Sequence, residues 1–161
     1  MLKSISCRGA TVPSNCLQLS SHKLRHMTFL TIKYGESPDQ FATLYPPTQG
    51  VCESQQPIVT LIHGGFWKQK YSIDNALIDN LVPFFQSHGY WMSLLEYRRG
   101  NDKDGGEGGW PTTNEDIILA LHCLFDFCNN NQDTFTIDYQ VNILKYLLYI
   151  FDIVKLMQFK Q

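Results

Sequence analysis

Five consecutive residues, His63-Gly64-Gly65-Phe66-Trp67, combine types that do chemistry together. They follow without a break on Pro57-Ile58-Val59-Thr60-Leu61-Ile62, a nearly continuous β-branched and apolar run. Such a run is the signature of a strand buried on both faces, as in a parallel sheet. Two glycines directly after it let the backbone turn with its N–H groups exposed at the strand's carboxyl end. Donors preorganised in this way stabilise an oxyanion, an effect worth about 3 kcal/mol of barrier in acyl transfer. Two other readings compete: a plain tight turn, and a loop that cradles phosphate. A phosphate loop needs spacing nearer G-x-G-x-x-G or a Lys-Ser/Thr ending, and neither is present. The acyl-transfer reading leads.

Acyl transfer also needs a nucleophile and a base. None of the ten serines sits in a G-x-S-x-G elbow, the strand-to-helix turn that exposes a hydrolase nucleophile. Ser37 is trailed by Pro38-Asp39, and Ser87 by His88-Gly89. No His follows His122, so the downstream base of a Ser, Asp/Glu, His order is missing too. No catalytic nucleophile, acid or base is therefore assigned within these residues.

No metal or cofactor is expected either. The five cysteines, Cys7, Cys16, Cys52, Cys123 and Cys128, include no C-x-x-C pair, and His122 beside Cys123 has no second pair to complete a zinc set. Cys123 and Cys128 lie on an apolar helical stretch and read as core, in a reducing compartment. Gly105-Gly106-Glu107-Gly108-Gly109 fails the dinucleotide spacing, and Pro111 intervenes. Arg98, Arg99 and Lys103 are offset by Asp102, Asp104 and Glu107 and read as a solvated loop. Asp74, Asp79 and Asp116 read as helix-surface charges.

The elements that must position the five-residue loop can be read on either side of it. Residues 27–33 and 41–45 read as strands around the turn Tyr34-Gly35-Glu36-Ser37-Pro38. Residues 73–86 read as a helix with Ile73, Leu77, Ile78, Leu81, Phe84 and Phe85 on one side, Pro83 late in it, and Gly89 ending it. Residues 90–97 form the next strand, followed by a Gly-rich loop over 100–110. Thr112 with Glu115 then makes a capping box. The helix it opens turns Ile117, Ala120, Leu121, Leu124 and Phe125 inward. Strand, helix, strand, helix in this rhythm predicts an α/β fold with a mostly parallel sheet.

Composition sets the outer bounds. The 161 residues carry 13 Lys+Arg against 15 Asp+Glu, a net charge of −2, which leaves no basic footprint for nucleic acid. With 43% hydrophobic and 17% charged residues the chain is neither disordered nor coiled coil, and no apolar run approaches the ~18 residues of a membrane span. Residues 1–35 hold no Asp or Glu but contain Lys3, Arg8, Lys23, Arg25 and Lys33 among several serines. Residues 1–26 read as an unstructured extension, as sequence upstream of a start at Met27, or more weakly as a mitochondrial transit segment. The expected location is cytoplasmic.

With these residues in place, a resemblance becomes specific. Tyr34-Gly35, Leu44-Tyr45-Pro46, Leu61-Ile62-His63-Gly64-Gly65-Phe66-Trp67, Glu96-Tyr97-Arg98 and Gly108-Gly109-Trp110-Pro111 with Asp116-Ile117 occur in the order and spacing of kynurenine formamidases (arylformamidases). The likeness covers about residues 34–142 of the chain. It implies an α/β-hydrolase fold and hydrolysis of N-formyl-L-kynurenine to L-kynurenine and formate in tryptophan catabolism. It also implies an oxyanion hole from the amides of Gly65 and Phe66, with His63 holding the loop and Phe66 and Trp67 lining a pocket for a small aromatic N-formyl substrate. The nucleophile elbow of the family belongs after Tyr139-Gln140-Val141-Asn142, where this chain continues Ile143-Leu144-Lys145-Tyr146 instead.

The expected organisation is thus a 1–26 extension, a 27–142 N-terminal portion of an incomplete α/β-hydrolase domain lacking its C-terminal half, and a divergent apolar tail at 143–161. On the tail Lys145, Asp152 and Lys155 share one narrow face; it reads as a docked or partner-binding helix, a further strand, or an out-of-context peptide. The chain alone is expected to be inactive. Alternatives are a non-catalytic binding protein that keeps the loop, or an esterase of broader specificity when complete. Residues 57–62 as an exposed sheet edge, or the tail, are expected to drive self-association.

Overall fold

The computed structural model describes residues 28–48, 56–75, 80–100 and 105–136. Strand β1 (Leu30–Lys33) turns back into β2 (Phe41–Tyr45), with register from Leu30 opposite Leu44 to Lys33 opposite Phe41. The turn is closed by Tyr34 N–H donating to Gln40 O at 3.1 Å and Gln40 N–H donating to Ser37 O at 3.0 Å. Strands β3 (Gln56–Ile62), β4 (Trp91–Leu95) and β5 (Phe135–Thr136) complete one sheet in the order β1-β2-β4-β3-β5. β3 runs parallel to both β4 and β5, while β2 pairs antiparallel with β1 and β4.

β4 sits at the centre, and all five of its residues are buried. Strand residues alternate between faces, so β4 feeds two cores. Trp91 and Leu95, with Ile32, Leu44 and Ile62, pack under helix α2 (Thr112–Asn130) against Ala120, Cys123, Leu124 and Phe127. Met92 and Leu94, with Leu61, face the other way, toward helix α1 (Leu81–Ser87) and its Val82 and Phe85. Phe135 anchors β5 between the rings of Trp91 and Phe127, at centroid distances of 4.8 and 5.7 Å. Each large side chain buried this fully contributes roughly 2 kcal/mol. No described helix is long and apolar enough to cross a membrane.

The two helices cover opposite faces of the sheet. The chain leaving β3 runs to α1 on one face; the chain leaving β4 runs to α2 on the other. Neighbouring parallel strands whose exits diverge in this way open a crevice at their carboxyl ends. His63 and Glu96 are the first residues past those two ends.

Several expectations change in detail. Of the helix expected over 73–86, the described residues show Leu81–Ser87; residues 73–75 form a turn, and 76–79 are outside the described residues. Pro83 therefore falls in the first turn, where an absent N–H removes no intrahelical bond. The capping box at Thr112 and Glu115 does not form; Pro111 precedes the helix with no side-chain cap. Thr113 does the tying instead. Its Oγ1 accepts from Gly109 N–H at 2.9 Å and donates to Arg98 O at 2.7 Å, fastening the helix start to the segment after β4. Phe125, expected inward, is 39% exposed. The buried stripe runs through Thr113, Asp116, Ala120, Cys123, Leu124, Phe127 and Cys128, and Phe125 lies ~100° around the helix from Leu124. Cys123 and Cys128 are core residues, and burial pushes the Cys128 thiol up to about 12. The extension 1–26 and the tail 143–161 lie outside the described residues.

Candidate functional site

The loop after β3 has the backbone its glycines suggest, and more. Gly65 has φ +129°, and Phe66 and Trp67 follow at +53° and +57°, three successive residues in conformations that side chains disfavour. A Cβ on Gly65 would stand 2.6 Å from Cβ of Tyr71, so the site also lacks room for one. A turn behind the loop holds it there: Lys68 N–H donates to Gly65 O at 3.0 Å, and Tyr71 N–H to Lys68 O at 3.1 Å. The N–H groups of Gly65 and Phe66 donate to no acceptor among the described residues. Two adjacent free amides in a crevice are what an oxyanion needs.

His63 is 4% exposed and committed on every side. Its Nδ1 lies 2.8 Å from Gly64 O, and since a carbonyl only accepts, Nδ1 carries a proton and donates it. Nε2 lies 2.8 Å from Oε1 of Glu96. Tyr97 stacks on the imidazole at 4.4 Å and 9°, and its hydroxyl donates to His63 O at 2.6 Å. A ring with both nitrogens engaged has none left to take a proton from a nucleophile.

Glu96 is the hub of this arrangement. Its Oε1 faces His63 and accepts from Tyr97 N–H at 3.1 Å and from Nη1 of Arg99, while Oε2 accepts from Ile73 N–H at 3.0 Å. Burial pushes the carboxyl up, but the hydrogen bonds of His63 and Ile73 and the charges of His63 and Arg99 outweigh it, and the group lies below its ordinary value. Arg99 reaches on to Asp39 in the β1–β2 turn, with Nη2 at 3.3 Å from Oδ2.

A second buried cluster braces the same segment. Arg98 grips Asp116 with Nε on Oδ2 at 2.9 Å and Nη2 on Oδ1 at 2.7 Å, and its backbone N–H adds a third bond at 3.0 Å. Nε2 of Gln40 donates to Oδ1 of Asp116 at 2.7 Å. This corrects two expectations: Asp116 is 1% exposed rather than a surface charge, and Arg99 is 6% exposed rather than part of a solvated loop. Asp74 is exposed, but in a turn rather than on a helix, whereas Asp79, Asp102, Lys103 and Asp104 are outside the described residues. The signal for the buried pairs was position: Glu96, Arg98 and Arg99 directly follow a mostly apolar strand that is buried throughout, where charges can only be buried in pairs. Asp39 and Gln40 carried no signal of their own.

The Gly-rich segment closes over these residues. A Cβ on Gly106 or Gly108 would stand 2.2 Å from the carbonyl oxygens of Arg99 and Arg98, so both glycines permit a backbone contact. Gly100 N–H donates to Trp67 O, which ties this segment to the loop after β3. Phe66 is 55%, Trp67 39% and Trp110 76% exposed, an unusual outlay of aromatic surface, two of the three on the loop itself. Of the described serines, Ser93 is buried in β4, Ser87 donates to Phe84 O at the end of α1, and Ser37 and Ser72 lie in turns; none is an elbow. Among the described residues, no three His, Cys, Asp or Glu side chains group to hold a metal. The arrangement can polarise a carbonyl and stabilise the anion that forms from it; among the described residues it holds no group placed to attack.

The chain matches no protein-family model and no curated protein. It is similar to solved structures of esterase B from Lactobacillus Rhamnosis (HN001), at a TM-score of 0.52 and 27% identity over 68% of this chain and 32% of that one. The same esterase inhibited by a C4-C4 SN3 tributyrin phosphonate gives a TM-score of 0.52 at 26% identity, over 68% and 33% of the two chains. The chain thus spans about one third of the length of the esterase. Its sheet and helices have the α/β-hydrolase-like fold of an esterase, carried over that third.

Proposed function

We propose that the crevice after β3 and β4 is the oxyanion-binding half of an acyl-transfer hydrolase, with the amides of Gly65 and Phe66 as the donors. The observation that supports this reading is that the N–H groups of Gly65 and Phe66 donate to no acceptor among the described residues, while the carbonyls of Gly64 and Gly65 are held by His63 and Lys68. Within that class we assign the substrate of kynurenine formamidases, a small aromatic N-formyl amide. Phe66 and Trp67 offer aromatic surface on the loop that carries the donors, and a planar aryl group stacks on such rings. In the reaction the carbonyl oxygen of the formyl group gains charge as the tetrahedral intermediate forms, and the two amides hold that charge without reorganising. His63 keeps the loop in shape and takes no proton.

Attack requires a nucleophile and a base that the 161 residues do not contain in recognisable form. The purified chain is therefore expected to turn over neither N-formylkynurenine nor p-nitrophenyl esters above buffer. Turnover that survives purification and is lost in Gly65→Pro overturns this. Esterase B favours a second reading, in which the acyl group is that of an aliphatic ester. Phosphonates separate the two, because their tetrahedral anion mimics the intermediate in either case. In 15N-labelled chain, phenylphosphonate is expected to shift the Gly65 and Phe66 amides together, at a several-fold lower concentration than butylphosphonate. The reverse preference selects the aliphatic reading. Shifts that spare both amides reject the oxyanion site altogether.

A further inference from the structure

The direction of the Gly65 N–H is not set by Gly65. In a trans peptide the C=O of one residue and the N–H of the next lie in one plane and point opposite ways. Gly64 C=O is held by Nδ1–H of His63 at 2.8 Å, so Gly65 N–H points away from His63, toward the open side of the loop. Whatever fixes the imidazole therefore aims the donor. The ring is fixed by Tyr97 on its face and by Glu96 at Nε2, and only the second is itself held from several directions. Tyr97 N–H, Ile73 N–H and Arg99 all converge on the Glu96 carboxylate, and Asp39 holds Arg99 from the far side. His63, Glu96 and Arg99 are 4%, 2% and 6% exposed, so water does not compete for these bonds.

We propose that Glu96 is a positioning residue for the oxyanion donor. It acts through His63 on the Gly64–Gly65 peptide, and Arg99 and Asp39 fix its carboxylate. The β1–β2 turn is thereby linked to the loop after β3 by the path Asp39, Arg99, Glu96, His63, Gly64. The proposal rests on the oxyanion reading for its purpose, but the path can be tested independently of it.

The test uses the full 161-residue chain, 15N-labelled, with phenylphosphonate as probe and a urea melt to verify folding of each variant. Glu96→Leu is expected to move the Gly65 amide resonance to the position it takes in His63→Leu, and to weaken phenylphosphonate about tenfold, the worth of one well-aimed hydrogen bond. The double variant is expected to bind no more weakly than either single one, because both act on one peptide. Glu96→Gln keeps an oxygen for Nε2–H and is expected to recover most of the affinity. A folded Glu96→Leu with the Gly65 amide unmoved, or with losses that add to those of His63→Leu, overturns the proposal. Should Glu96→Leu fail to fold, Asp39→Asn removes only the outer ion pair. It is expected to move the Gly65 amide part of the way in the same direction and to weaken binding about twofold; an unmoved amide overturns the proposal. If the unsubstituted chain binds no phenylphosphonate, the oxyanion reading fails, and the Gly65 resonances alone decide whether Glu96 positions the peptide.

Discussion

Asp116 is one turn into a helix and accepts four hydrogen bonds from two connecting segments, three from Arg98 after β4 and one from Gln40 before β2. Removing such a carboxylate strands a guanidinium that is only 27% exposed and breaks the junction of β2, β4 and α2. Asp116→Ala is therefore expected to destabilise the chain by about 3 kcal/mol in urea unfolding, and a loss below about 0.5 kcal/mol would show the cluster to be ornamental. Glu96 carries a pH dependence of a definite sign. Its folded-state carboxyl is lowered from the ordinary 4.5, so its ionised form stabilises the fold fully above that value. That contribution fades as pH falls below about 4.5 and is gone once pH has passed through the lower folded-state value. Unfolding free energies of the unsubstituted chain and of Glu96→Gln are expected to converge on acidification below 4.5; a gap that stays constant to pH 3 rejects the shift.

At the scale of elements, the strands and the loop between them were legible in the residues, and the helix details were not. The run Ile58-Val59-Thr60-Leu61-Ile62 reads as a strand and forms one, although only Leu61 and Ile62 of it are buried rather than the whole run, and His63-Gly64-Gly65 lies at its end. The helix boundaries depended on contacts that no local pattern contains. Thr112 with Glu115 has the spacing of a capping box, but the helix start is held by Thr113 on Arg98 O, a bond across fifteen positions. Phe125 fits an apolar stripe as well as Phe127 does, but it is Phe127 that packs in the core, with the ring of Phe135 on β5 at 5.7 Å. The same distinction between backbone and surroundings predicts how glycines respond. Gly65 and Gly105 both have positive φ, at +129° and +72°, but a Cβ meets Tyr71 at 2.6 Å in the first and nothing within 4 Å in the second. Gly105→Ala is expected to cost about 1 kcal/mol and Gly65→Ala about 2–3 kcal/mol, the excess being displacement of Tyr71. Equal losses in thermal melts would mean that backbone strain alone matters.

For the whole molecule the decisive feature is how little of β3 the described residues cover on its outer side. β5 pairs only with Gln56 and Pro57, so among the described residues Ile58–Ile62 has β4 on one side and no strand on the other. An apolar parallel strand with a row of unpaired N–H and C=O groups is a template for another strand. Its side chains worsen the exposure, since Ile58, Val59 and Thr60 are only partly buried and Phe84 of α1 is 54% exposed nearby on the face that Val59 shares. We propose that the chain self-associates through this edge, two copies pairing along residues 58–62. Light scattering on a size-exclusion column is expected to give a mass that rises with loading, and amide exchange at residues 58–62 is expected to slow in step with it. Association with those amides still exchanging freely moves the contact to residues 143–157. A monomer at every concentration, melting in one transition, would mean that the edge is not available for pairing in solution, and would favour a binding protein with a closed sheet over a chain that needs further strands.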